Sequence, residues 1–422
     1  MTSRALSLIL LALGLLSVGC STERDEARPS SSAAPFASAA PATLAPGAAE
    51  RAPGDVERGR ALALRFECNR CHEGTGLAAP ETAKACVGCH QEIIAGTFKA
   101  PKSALARWRP NLLGVEFAPS LAATGKRLRR DWIEAYLLAP RDLRPGLVST
   151  MPRLALSRAE ARDLAAYLVR DAGRAEPASL EGADLGRGRE LLETKACGAC
   201  HTFSGVEALP IAPSPEAGRG SAGIALAPDL RFARERFEPA RLVAWLLDPP
   251  AVKPGTPMPK LGFTKDEARD LAAYILETPL APLAQTQLPA RLPLLDRPVR
   301  FAEVQERVLG KICQHCHGNP DVALGDGGPG NTGGFGFRPR RLELTSHRAV
   351  SAGLLDDHGE RRSVFEKTAD GTPLLVAALL ARRAEEAGKF DPAVRGMPLG
   401  LPPLPAEDIQ LVESWVAQGR PR

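Results

Sequence analysis

Eight of the nine cysteines in this 422-residue chain fall into four C-x-x-C-H runs: CNRCH (68–72), CVGCH (86–90), CGACH (197–201) and CQHCH (313–317). Two thiols three residues apart can meet the two vinyl groups of one haem as thioethers, and the adjoining histidine then reaches the iron. Zinc sites would pair C-x-x-C motifs without an obligatory histidine after each, and a thioredoxin-like motif would come once, within a βαβ pattern. The runs therefore nominate Cys68, Cys71, Cys86, Cys89, Cys197, Cys200, Cys313 and Cys316 for covalent attachment. His72, His90, His201 and His317 become the iron ligands. Four haem c groups are expected, or three if the CVGCH run is empty.

The rest of the composition suits that chemistry. Aromatic residues make up only 5% of the chain, a thin supply of large core side chains that a buried macrocycle would supplement. The net charge of +5 is spread without a dense Lys/Arg block, so nucleic acid is not an expected partner. Four haems would bring about eight propionate charges, which offsets the basic balance. Past the N-terminus no stretch reaches the roughly 18 apolar residues of a membrane span.

Residues 1–19 carry Arg4, then the apolar run LSLILLALGLLSVG, then Cys20, the ninth cysteine. This reads as a secretory signal. Its end resembles a bacterial lipoprotein signal, with Gly19 directly before the cysteine, although Ser17 stands where such boxes usually carry Leu. A lipidated Cys20 would anchor the chain without spanning the membrane. The expected location is the periplasmic side of a bacterial membrane, with Ser21 favouring the outer one. Of the 34 residues 21–54, 21 are Ala, Pro or Ser, a composition that cannot bury enough apolar surface to order itself. Residues 20–54 thus read as a lipidated cysteine and tether.

An internal repeat follows. TMPRLALSRAEARDLAAYLVR (150–170) aligns without gaps to PMPKLGFTKDEARDLAAYILE (257–277), with 11 of 21 positions identical. Gly59-Arg60 and Gly188-Arg189 each lie nine residues before the first cysteine of a run. Ala118-Pro119-Ser120-Leu121 answers Ala227-Pro228-Asp229-Leu230, and LLAPRDLRPG (137–146) answers LLDPPAVKPG (246–255). Ser157 with Glu160 and Thr264 with Glu267 are capping boxes that start each final helix.

This order of elements resembles the class I cytochrome c family over residues 55–172 and 180–280. The resemblance implies that Met151 and Met258 bind iron opposite the proximal histidines. It also implies that the carbonyls of Pro119 and Pro228 accept the histidine Nδ1–H, and that Tyr167 and Tyr274 pack on the N-terminal helix of each module. A third, divergent module has a glycine-rich stretch (318–337), no A-P-x-L loop, and an ending, GMPLGLPPLPAEDIQLVESWVAQG (396–419), that looks like cytochrome c domains fused to larger bacterial enzymes. Met397 is its candidate distal ligand, with His347 and His358 as competitors; His315, inside CQHCH, reads as incidental. The expected fold is mostly α, with three tandem small helical cytochrome c-like domains around covalent haems. Their bounds are 55–176 (two haem sites), 177–282 and 283–422, joined by Pro-rich linkers and able to reorient unless contact between haems fixes them.

Four runs meet only three Met-Pro signatures. Cys68 to Met151 spans 83 residues against 61 from Cys197 to Met258, an excess of 22 that nearly matches the 18-residue offset between the first two runs. The Gly-Arg spacing pairs His72 with Met151, and the reverse assignment to His90 stays open. The haem at His90 then takes its sixth ligand from Lys84, Lys99, Lys102, His347 or His358, or has an open iron. A haem held by His and Met has no vacant position and passes electrons. The expectation is an electron carrier between a redox donor and acceptor, with two alternatives: a subunit of a larger complex, or a haem peroxidase at the second site.

Overall fold

The computed structural model describes residues 53–112, 118–145, 147–173, 177–207, 222–283, 287–319 and 328–422. The signal, Cys20 and nearly all of the tether lie outside the described residues. Among those described the chain is mostly helical, and no helix is long and apolar enough to cross a membrane.

The first repeat unit builds α1 (Val56–Arg65), α2 (Cys86–Ala95), α3 (Lys102–Trp108), α4 (Arg130–Leu138) and α5 (Arg158–Leu168). Its partner builds α6 (Leu185–Thr194), α7 (Ala222–Leu226), α8 (Ala233–Arg236), α9 (Pro239–Leu247), α10 (Pro249–Val252) and α11 (Lys265–Glu277). Both expected capping boxes form, at Ser157/Glu160 and Thr264/Glu267, satisfying N-terminal amides of α5 and α11.

Glycine decides how the first and last helices of each unit cross. A Cβ at Gly59 would overlap the Asp163 carbonyl and lie 2.7 Å from Tyr167 Cβ; one at Gly188 would meet the Asp270 carbonyl and lie 2.7 Å from Tyr274 Cβ. A carboxylate latches each crossing. Asp163 Oδ1 accepts from the Asp55 amide at 2.7 Å, and Asp270 Oδ1 from the Asp184 amide at 3.0 Å.

The remaining chain forms α12 (Phe301–Val304), continued by a π-helical turn over Gln305–Leu309, then α13 (His347–Ala352), a two-stranded antiparallel pair β1 (Leu354–Leu355) and β2 (Arg361–Arg362), α14 (Leu374–Glu386) and α15 (Ala406–Ala417). Trp415 is fully buried against Phe301 and Phe365, and its Nε1 donates to the Pro421 carbonyl at 3.0 Å. The Pro-rich segment ahead of α12 is tied to α15. The Leu295 amide donates to Ser414 Oγ and the Val299 amide to Gln418 Oε1.

Buried apolar side chains gather in three clusters, around α1/α5, around α6/α9/α11, and around α12/α14/α15. From Glu50 to Arg422 these form one compact unit. The Arg129 amide donates to the Arg236 carbonyl and the Asp229 amide to the Leu143 carbonyl, both at 2.8 Å. On the other side Arg153 pairs with Glu385 at 2.9 Å, and Arg382 donates to the Ser149 carbonyl at 2.6 Å. Both of those side-chain contacts are largely sheltered from solvent, so the clusters hold one another in a defined arrangement.

Candidate haem sites

At three of the four runs the first cysteine opens a 3-10 turn and the second caps it: Cys68–Arg70 capped by Cys71, Cys197–Ala199 by Cys200 and Cys313–His315 by Cys316. The histidine amide closes the turn on the first cysteine's carbonyl at 2.9 Å in each: His72 on Cys68, His201 on Cys197, His317 on Cys313. Glu67 and Ala196, just before the first two turns, adopt the left-handed conformation, with φ of 52° and 56°. The fourth run differs. Cys86 to His90 lies within α2, so its cysteines and histidine share a helix.

His72 Nδ1 lies 2.8 Å from the Pro119 carbonyl oxygen and His201 Nδ1 2.8 Å from that of Pro228. A carbonyl only accepts, so each ring carries its proton on Nδ1 and presents the Nε2 lone pair outward. His317 makes the same kind of bond, Nδ1 to the Leu342 carbonyl at 3.3 Å. The sequence concealed this partner, because any residue type offers a carbonyl and no A-P-x-L motif marks it. A second bond locates it: the Leu344 amide meets the His317 carbonyl at 2.9 Å, as the Leu230 amide meets that of Thr202. Burial lowers the basicity of His72, His201 and His317, which favours the neutral rings a metal requires.

The glycine-rich stretch folds over the third site. A Cβ at Gly330 would overlap the His317 ring, and one at Gly328, whose φ is +68°, would lie 2.5 Å from Cys316 Cα. Only glycine lets the backbone approach so closely. Residues 320–327 lie outside the described part.

Each Met-Pro methionine packs on the core that holds one attachment cysteine. Met151 adjoins the cluster bordered by Cys68, Met258 that bordered by Cys197, and Met397 that bordered by Cys313. The competitors are placed elsewhere. His347 Nε2 meets the Arg420 carbonyl at 3.0 Å and its ring stacks edge-on against Phe301 and Trp415; His358 is exposed.

These residues fit a haem by their own chemistry. The rings are oriented, the thiols come in adjacent pairs, and a thioether sulfur adjoins each of three cores. Between the first two clusters the guanidiniums of Arg127 and Arg236 each leave Nε without a hydrogen-bond partner among the described residues, and desolvation lowers the pKa of both to about 10. Buried cations call for anionic partners, which the propionates of a haem would be.

Three of the runs converge. The neighbouring Cys86 thiol and burial push the Cys71 thiol up, which places the first run next to the second. Arg70 donates to the Lys84 carbonyl at 3.2 Å and lies over the Phe335 ring, whose amide donates to Glu67 at 2.9 Å. His90 is buried, its Nδ1 has no hydrogen-bond partner among the described residues, and its ring centroid lies 5.9 Å from that of His315. His315, incidental in the sequence, thus stands beside the second site. Of the lysines considered there, Lys84 approaches Glu67 at 4.0 Å, while Lys99 and Lys102 are exposed.

Residues 185–279 match the Cytochrome c family model. The chain therefore contains a cytochrome c domain over α6 to α11, which implies covalently bound haem c and haem-based electron transfer. Comparisons with curated proteins and with solved structures found no match.

Proposed function

We propose that the whole chain is a multihaem electron carrier of the bacterial periplasm, built from three cytochrome c modules and tethered through a lipidated Cys20. It relays electrons between a redox-protein donor and an acceptor. The observation that carries this reading is the repeated placement of one C-x-x-C-H run and one Met-Pro methionine at each of three cores, with the fourth run wedged beside the first and third.

Bound haem supplies an iron that changes oxidation state by one electron. The protein's part is to fix and shelter it. Cys68/Cys71, Cys86/Cys89, Cys197/Cys200 and Cys313/Cys316 hold the four macrocycles. His72, His201 and His317 ligate through Nε2, with Nδ1 held by the carbonyls of Pro119, Pro228 and Leu342. Met151, Met258 and Met397, packed on the same three cores, would offer thioether ligands to the iron, which would raise its potential and keep substrate off the metal. The leader and tether support export and anchoring, from sequence alone.

The test is sub-stoichiometric photoreduction of the holoprotein, following haem absorbance in time. An intramolecular relay gives redistribution toward the highest-potential haem at a rate independent of protein concentration. A rate proportional to concentration would contradict it.

A further inference from the structure

The second attachment site lacks a Met-Pro partner, and the structure supplies another. Seven histidines occur in the chain, four of them inside the runs as proximal ligands. Of the other three, His347 meets the Arg420 carbonyl within an aromatic cluster and His358 is exposed on a turn. His315 remains, 5.9 Å from His90 between ring centroids and inclined at 45°. We propose that His315, from the attachment run of the third module, is the second axial ligand of the haem held by Cys86 and Cys89. The inference rests on haem attachment at those two cysteines.

The spacing is that of two imidazoles on opposite sides of one metal. Metal–nitrogen bonds of about 2 Å each, plus about 1 Å from nitrogen to ring centre, separate the centroids by about 6 Å. Rotation about a metal–nitrogen bond is free, so a 45° inclination is compatible with ligation. At His72, His201 and His317 a backbone carbonyl sets the ring's orientation. Among the described residues the buried Nδ1 of His90 has no such partner, which sets it apart from the other three proximal histidines.

Both histidines are held from their own sides. His90 rides on α2, whose entry is pinned by the Arg70 bond to the Lys84 carbonyl. His315 ends the Cys313–His315 turn, where Gln314 Nε2 donates to the Leu344 carbonyl at 3.3 Å and Asn111 Nδ2 reaches the Lys311 carbonyl at 3.4 Å. The last bond crosses between the two parts of the chain that supply the ligands. A bis-histidine iron is closed to small molecules and lower in potential than its His/Met neighbours. The second haem then serves as a relay, and peroxidase chemistry has no open iron there.

The experiment uses the full-length holoprotein, with haem content measured by intact mass and by pyridine haemochrome for every variant. Wild type is expected to carry four haems, all low-spin by electron paramagnetic resonance and none binding carbon monoxide when reduced. In His315→Ala with four haems attached, one haem in four becomes high-spin and binds carbon monoxide, and added imidazole returns it to low spin. His315→Met guards against a folding defect: it keeps all four haems low-spin and raises the potential of one. His358→Ala changes none of these readings. Four attached haems with spin states and potentials unchanged in both His315 variants would overturn the proposal and leave the haem-carrier reading standing. Three haems in wild type, with Cys86 and Cys89 unmodified by mass, would overturn the attachment and the proposal with it.

Discussion

The neighbouring Cys86 thiol, together with burial, pushes the Cys71 thiol up, so the closing cysteine of one attachment run lies next to the opening cysteine of the next. Haems joined to these two sulfurs would share an edge. In the oxidised holoprotein the two irons should therefore couple magnetically, broadening their low-spin resonance lines. Removing the second haem with Cys86→Ala and Cys89→Ala should sharpen the lines of the first. Spectra that equal the simple sum of four isolated haems would show that the edges are apart.

Met258 packs on the core bordered by Cys197, inside the segment that matches the cytochrome c family model. Met258→His should keep that iron six-coordinate and lower its potential by on the order of 0.1 V, within the roughly 0.8 V that axial ligands span. The other potentials should stay close to wild type. Spectroelectrochemical titration reads this directly, and an unchanged set of potentials would remove Met258 from the coordination sphere.

Gly188 lies where a side chain would run into the Asp270 carbonyl of the facing helix. Backbone cannot move aside as a flexible side chain can, so Gly188→Val should destabilise the unit by about 3 kcal/mol or more. Thermal unfolding of the holoprotein measures it. A variant as stable as wild type would mean that α6 and α11 do not cross at this residue.

Asp163 binds the Asp55 amide and the Arg58 guanidinium, and the Arg58 hydrogen bond above all holds its carboxyl below the usual range. A carboxylate whose affinity for protons falls on folding stabilises the native state above its unfolded pKa of about 3.9 and loses that contribution as pH falls through the folded value. Wild type should exceed Asp163→Asn in stability by about 1–3 kcal/mol at neutral pH. The gap should hold from pH 8 down to about 5 and shrink below about 4. Denaturant titrations at pH 7 and pH 3 compare the two; an equal gap at both would show that the charge on Asp163 contributes nothing.

What the sequence disclosed follows from which features are local. The Gly59 and Gly188 offsets and both capping boxes sit in short motifs whose residue type is demanded by the geometry, while the Pro119 and Pro228 carbonyls were legible only through the A-P-x-L loop's resemblance to class I cytochromes c. Leu342 was hidden because its contribution is a backbone carbonyl, which carries no residue signature. The His90–His315 approach was hidden for a different reason. It depends on how the third cluster docks against the first, through Phe335 on Glu67, Asn111 on Lys311 and Arg153 on Glu385. Such contacts join residues 200 or more positions apart, and no periodicity reports them. The same docking gathers Glu50–Arg422 into one compact unit, where the sequence left the modules able to reorient unless contact between haems fixed them.

The most direct test of an electron carrier with every iron closed is a carbon monoxide difference spectrum of the dithionite-reduced, full-length holoprotein, with total haem quantified in the same sample. Four haems per chain and no fraction that binds carbon monoxide are expected. One haem in four binding it would rule out an all-closed carrier, by placing an open iron at His90 and bringing small-ligand chemistry forward.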